Sequence, residues 1–154
     1  MAASSQATDP LILGVVASEN FYTDDNRGYG IVVTRDRVLG APKPQPLGDF
    51  GCFLGKSASD AQRAEASSVA AQLATKKDFE VRVGYVGQIL FSRPSLLSGG
   101  HMILKTGMRT VRVDTDTLYV NPKIGGLWDA LFNSLHEAVG WRLCDSRTGQ
   151  PFRR

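Results

Sequence analysis

The sequence predicts a mainly β, α+β chain: about seven antiparallel strands bent into a sandwich or barrel, with one C-terminal helix closing it. Three observations carry this. Short β-branched runs recur at residues 11–17, 31–33 and 38–41 and return between 79 and 114. Turn residues separate them. The strongest helical periodicity comes last, over residues 124–139. Strands followed by a single amphipathic helix give that helix an apolar sheet face, or an open barrel end, to cover.

The elements follow in order. Residues 1–10, MAASSQATDP, are small and polar and predict a flexible tail. LILGVVA (11–17) is a continuous apolar run, the pattern of a buried strand. SENFYTDDNRG (18–28) is a polar loop with an acidic middle. YGIVVTRDRVLGA (29–41) reads as two strands joined by the charged turn Thr34-Arg35-Asp36-Arg37. The Pro- and Gly-rich stretch PKPQPLGDFGCFLGKSAS predicts an irregular connection. A helical insertion of about 58–77 follows, capped by Ser59-Asp60 and ending on Lys76-Lys77, where positive charge suits a helix C-terminus. Its apolar face is thin, mainly Ala66, Val69, Ala70 and Leu73, which predicts partial contact with the domain or a bound partner.

FEVRV (79–83) alternates in strand fashion, with Phe79, Val81 and Val83 on one face. VGQILFS follows the Gly84-Tyr85 break, RPSLLSGG forms a loop, and HMILKT and RTVRVD make a second hairpin across Gly107-Met108. Asn121-Pro122 reads as a helix start with proline at the first position. Ile124, Leu127, Trp128, Leu131, Phe132, Leu135 and Val139 then fall three and four apart down one face. The expected organisation is one domain over 11–143, with the insertion between its third and fourth strands and a C-terminal tail at 144–154.

At 154 residues and 42% hydrophobic, the chain is large enough to fold around its own core without metal or disulfides. Its charge of +3 comes from scattered Lys and Arg; only Lys76-Lys77, Arg35/Arg37 and Arg153-Arg154 cluster. Dedicated nucleic-acid binders concentrate such charge on one face, and Tyr29, Phe91 and Trp141 are too dispersed to form a stacking platform. Cys52 and Cys144 lack metal spacing and a disulfide framework, which leaves their pairing open. The first residues carry no basic leader, and Leu11–Ala17 is too short to span a membrane, so the expectation is a cytoplasmic protein with reduced thiols.

Three stretches resemble the prokaryotic PH-like and GRAM-type domains. IVVTRDRVLGA resembles their second and third strands, VGYVGQILFSRPSLLSGGHMILKT a later pair with its loop, and LWDALFNSLHEAV their capping helix. The resemblance covers most of residues 11–143. It implies a PH-like domain that binds or assembles and does not catalyse, with a protein partner or self-association as the leading expectation. Lipid-binding members carry basic residues around the first two strands. Here that loop holds Glu19, Asp24 and Asp25 against a single Arg27, a charge balance that repels phosphoinositides.

Catalytic and metal chemistry find little footing. His101 and His136 stand alone, Gly28-Tyr29-Gly30 is not a phosphate loop, and Asp114-Thr115-Asp116-Thr117 lacks the remainder of a calcium loop. No catalytic, metal or cofactor-binding residue is therefore assigned, and no cofactor is expected. One feature stands out: Leu96 and Leu97 in the loop between Pro94 and Gly99-Gly100. With Arg93 and Lys105 nearby in sequence, they form the candidate interaction surface. The alternatives are a small β-barrel enzyme or ligand carrier working at the barrel mouth, and a weak nucleic-acid binder.

Overall fold

The computed structural model describes residues 12–152, so the predicted 1–10 tail lies outside the described residues. β1 (Ile12–Tyr22), β2 (Arg27–Thr34) and β3 (Arg37–Pro42) form an antiparallel meander. β2 and β3 meet as the sequence predicts: Val33 pairs with Val38, and the Thr34 hydroxyl accepts the amide of Arg37 at 3.0 Å. β4 (Phe50–Phe53) then pairs with β1, and α1 (Asp60–Ala74) crosses to β5 (Phe79–Arg82), which lies beside β3. A 3-10 turn, Val83–Tyr85, leads into β6 (Val86–Ser92), β7 (Gly100–Thr106) and β8 (Thr110–Thr115). α2 (Ile124–Val139) and β9 (Leu143–Asp145) complete the chain.

The strands join in the order β5-β3-β2-β1-β8-β7-β6-β9, with β4 on the same side of β1 as β8. Among the described residues all strand pairings are antiparallel except β6 with β9. The sheet is open, ending in β5 on one side and β9 on the other, so the barrel alternative falls. What keeps it open is that β5 and β6, although linked by one turn, pair away from each other.

Two hydrophobic clusters hold the layers. The larger lies between the inner faces and under α2, where Trp128, Phe21, Phe91, Leu104, Leu131 and Leu135 are almost wholly buried. Burying each such side chain stabilises the fold by about 1.5–3 kcal/mol. Trp128 stacks on Phe91 at 5.3 Å and donates its indole N–H to the Ser92 carbonyl at 3.0 Å, so the polar end of the ring is satisfied as well. The smaller cluster lies on the outer face, where Ala66, Val69, Ala70 and Leu73 of α1 meet Ile12, Val15, Val32 and Leu39. β1 and β2 are thus covered on both faces, which is why they read as unbroken apolar runs.

Several expectations are corrected. The described residues form nine strands against an expected seven or so, and the insertion follows β4, so it stands between the fourth and fifth strands. α1 is shorter than 58–77; its Ser59 cap forms a capping box with Gln62, and Lys76-Lys77 fall beyond its last turn. Its contact with the sheet is partial, as its thin apolar face predicts: Ala66, Val69, Ala70 and Leu73 are buried and close a second core, while the rest of the helix stays largely exposed. Asn121 does not cap α2: its side chain accepts the Lys123 amide in the preceding turn, and Lys123 occupies the cap position. Gly140, at φ +59°, ends α2 in a conformation that favours glycine. The expected 144–154 tail begins inside β9, Cys144 bridges to Pro151, and Phe152 packs against Phe132 at 5.0 Å.

Candidate functional site

The two ends of the sheet differ in chemistry. At one end, the β6–β7 loop (93–99) lies beside the segment that leads from β8 to α2, and the Leu118 amide donates to the Ser95 carbonyl at 2.8 Å. Gly99 presses against the Thr115 carbonyl, where a β-carbon would come within 2.3 Å, so the loop is held close to that segment. Pro94 is buried and Leu118 half-buried, which anchors both pieces. Their tips point out. Leu97 is 84% exposed and Tyr119 79%, with Leu96 and Val120 also exposed. Large apolar side chains gathered on neighbouring segments at the surface are the usual mark of a contact surface.

The structure thus places Leu96 and Leu97 at the surface, and adds Tyr119 and Val120, which lie in a short connection with no sequence pattern of its own. It separates the two basic residues from them. Arg93 turns onto α2, where its guanidinium lies 4.2 Å from the Phe132 ring centre and its Nε donates to Asp129 at 3.0 Å. Lys105 sits at the far end of β7, five residues from Gly100 and about 17 Å along the strand.

The expected 18–28 loop shrinks to residues 23–26, because β1 runs on to Tyr22 and β2 starts at Arg27, and it lies at the Leu96 end. Arg27 pairs with Asp116 and lies over the Tyr22 ring at 4.9 Å, while Glu19 reaches the buried Lys43 at 2.9 Å. β2 spans eight residues, so this loop stands about 23 Å from the Thr34–Arg37 turn. The two were neighbours only in sequence.

The opposite end is basic. Arg35, Arg37 and Arg82 line a cavity of about 670 Å³ with Asp36, Glu80 and Tyr85. An adjoining hollow of about 440 Å³ separates the β5 edge from the β7–β8 turn and adds Met108 and Arg109. Arg37 is bound to Asp36 and Glu80, and Glu80 also takes Lys77. Those contacts draw the carboxyl of Glu80 below its ordinary value, Lys77 first and Arg37 next, and the Thr34 hydroxyl does the same for Asp36. Tyr85 and Met108, 71% and 96% exposed, flank the groove. No sequence motif announces it, because the turn, the β5 edge and the β7–β8 turn come from three distant stretches.

Among the described residues, Trp128, Tyr29, Phe21 and Phe91 are buried and fill the interior with side chains. A third hollow, of about 280 Å³, is also external, between α1 and the sheet. His101 faces Asp114 across β7 and β8, and burial, then Arg112, pushes its pKa down. His136 stacks on Phe132 at 5.8 Å. Both cysteines are free thiols. No helix among the described residues is long and apolar enough to cross a membrane. Comparison of the chain with protein-family models, with curated proteins and with solved structures gives no match.

Proposed function

We propose that this protein is a non-catalytic binding module of PH-like type that docks another protein through its Leu96 end. The PH-like part of the reading is supported by two antiparallel arrays that share β1 and by an amphipathic helix packed over their inner face. The docking part rests on one observation: four exposed apolar side chains, Leu96, Leu97, Tyr119 and Val120, on two segments joined by the Ser95–Leu118 bond. Water contact with such a patch is costly, and a partner that covers it recovers that cost.

The carrier alternative needs an apolar chamber reached from outside. The side chains that fill the inner core weigh against it.

The test compares the wild type with Leu96→Asp/Leu97→Asp, both positions being exposed and remote from the core. Sedimentation velocity over a range of concentrations reads self-association, and quantitative affinity capture reads a heterologous partner. The reading expects one of these to be present in the wild type and lost in the variant, with the melting temperature unchanged. Equal behaviour of the two proteins in both assays overturns it.

A further inference from the structure

We propose that the arginine groove at the other end of the sheet receives an acidic, extended segment of a partner protein, which adds as a strand to the free edge of β5. This site is separate from the Leu96 surface and does not depend on it.

The first argument is the edge. β5 is the last strand of the sheet on its side and pairs only with β3, so the backbone groups on its outer side have no strand partner among the described residues. That side faces the 440 Å³ hollow, whose far wall is the β7–β8 turn at Thr106–Arg109. An extended chain entering there meets main-chain donors and acceptors on one flank.

The second argument is charge. Four arginines, Arg35, Arg37, Arg82 and Arg109, line the two joined hollows against two carboxylates, Asp36 and Glu80. Both carboxylates are already engaged by Arg37 and Lys77. Arg35, Arg82 and Arg109 make no ion pair among the described residues. Arg37 and Arg82 also stand directly opposite each other across the β3–β5 ladder, where like charges repel. A carboxylate laid between them relieves that repulsion and accepts the paired N–H bonds that guanidinium offers.

The third argument is the flank. Tyr85 and Met108 are exposed on the rim of the groove. They offer apolar contact to alternate side chains of an added strand, while the intervening ones meet the arginines. This combination favours a peptide with acidic residues at every second position over a nucleic acid, which would seek a row of aromatic platforms.

The probe is a fluorescein-labelled peptide of about eight residues that alternates Glu with Val. Its control replaces each Glu with Gln. Fluorescence anisotropy, with the full chain titrated at low and at physiological salt, reads binding. Amide hydrogen exchange of Phe79–Arg82 reads strand addition. Two variants accompany the wild type: Arg35→Gln/Arg82→Gln/Arg109→Gln, which removes the unpaired charges, and the corresponding triple Arg→Lys variant, which keeps charge but not the guanidinium fork. Melting temperatures confirm that both remain folded.

The proposal expects the Glu peptide to bind with slowed exchange at β5, and affinity to fall about tenfold or more in the Gln variant. The Lys variant falls between the two. It is overturned by the Gln peptide binding equally well, by no loss in the Gln variant, or by binding without added protection at β5. It is also overturned if inorganic phosphate or a single-stranded oligonucleotide displaces the peptide at concentrations equal to the peptide's own, since the groove is then a general anion or nucleic-acid site.

Discussion

The Ser134 hydroxyl oxygen lies 1.9 Å from where a β-carbon on Gly14 would stand. α2 therefore rests directly on the backbone of β1, and glycine is the residue that lets it. Ser134 is itself buried and donates to the Ala130 carbonyl at 2.7 Å, so it cannot swing aside without losing that bond. Gly14→Ala is expected to destabilise the protein by about 1–3 kcal/mol through overpacking. In a chain of this size that lowers the melting temperature by roughly 3–10 °C. Adding Ser134→Gly returns part of the loss, because the two changes touch one contact. A double-mutant cycle by chemical denaturation checks this. Simple additivity of the two costs refutes direct contact between helix and strand at this point.

The amphipathicity of α1 is weak, yet its few apolar residues close the outer core with Leu73 fully buried. Leu73→Ala is expected to cost about 2–4 kcal/mol, the range for a large-to-small change in a packed site. Ser59→Ala, which opens the capping box with Gln62, costs about 1 kcal/mol. Hydrogen exchange should show Ala66–Leu73 protected close to the level of β2. Loss of under about 0.5 kcal/mol at Leu73 would place α1 outside the cooperative unit.

The strands and helices with strong local patterns were legible: the Val33–Val38 hairpin, the burial of Ala66, Val69, Ala70 and Leu73, and the apolar face of α2 all follow from residue spacing. The misses have a common cause. β4 is four residues, FGCF, in a Pro- and Gly-rich stretch, and it exists because β1 offers it an edge and Leu127 packs over Gly51. β9 is three residues held parallel to β6. Neither has a pattern long enough to stand out before its partner is known. Site reading failed similarly. The acidic residues of 18–28 weigh against anion binding as a whole in the sequence, but β2 keeps them at the opposite end of the sheet from the arginines of the Thr34–Arg37 turn. Arg82, which shares a cavity with that turn, and Arg109, which lines the adjoining hollow, lie 45 and 72 positions beyond Arg37 in the chain.

Glu80 links Lys77 and Arg37 across the β5 edge, and these partners hold its carboxyl below the ordinary 4.5. A carboxyl depressed on folding contributes stability above its unfolded value and loses it as pH falls through the folded one. Glu80→Gln should therefore melt about 1–3 °C lower than the wild type near neutral pH, the scale of an exposed ion-pair network. Below the carboxylate range the two curves should meet. Melting temperatures across that range check it, and a gap that persists into acid would assign the effect to packing.

Tyr29 supplies a second pH dependence of opposite sense. Its ring is fully buried in the main core, and its hydroxyl donates to the Asp78 carboxylate at 2.9 Å. Burial first, then the hydrogen bond to Asp78 and that carboxylate's charge, push its pKa well above the ordinary 10.0. A phenol raised on folding contributes stability that is fully present below the unfolded value and is lost as pH rises above it. Tyr29→Phe removes the hydrogen bond and leaves a carboxylate without its donor, at a cost of about 1 kcal/mol near neutral pH. Above pH 10.0 the wild type pays for keeping this phenol neutral and the variant does not, so the two stabilities converge. The direct readout is tyrosinate absorbance. While circular dichroism remains native, the difference between wild type and variant should contain no ionised phenol, and the missing signal should appear only with alkaline unfolding. A tyrosinate signal from Tyr29 in the folded protein near pH 10 would mean that water reaches the Tyr29–Asp78 pair and that β2 and β5 are not closed over it.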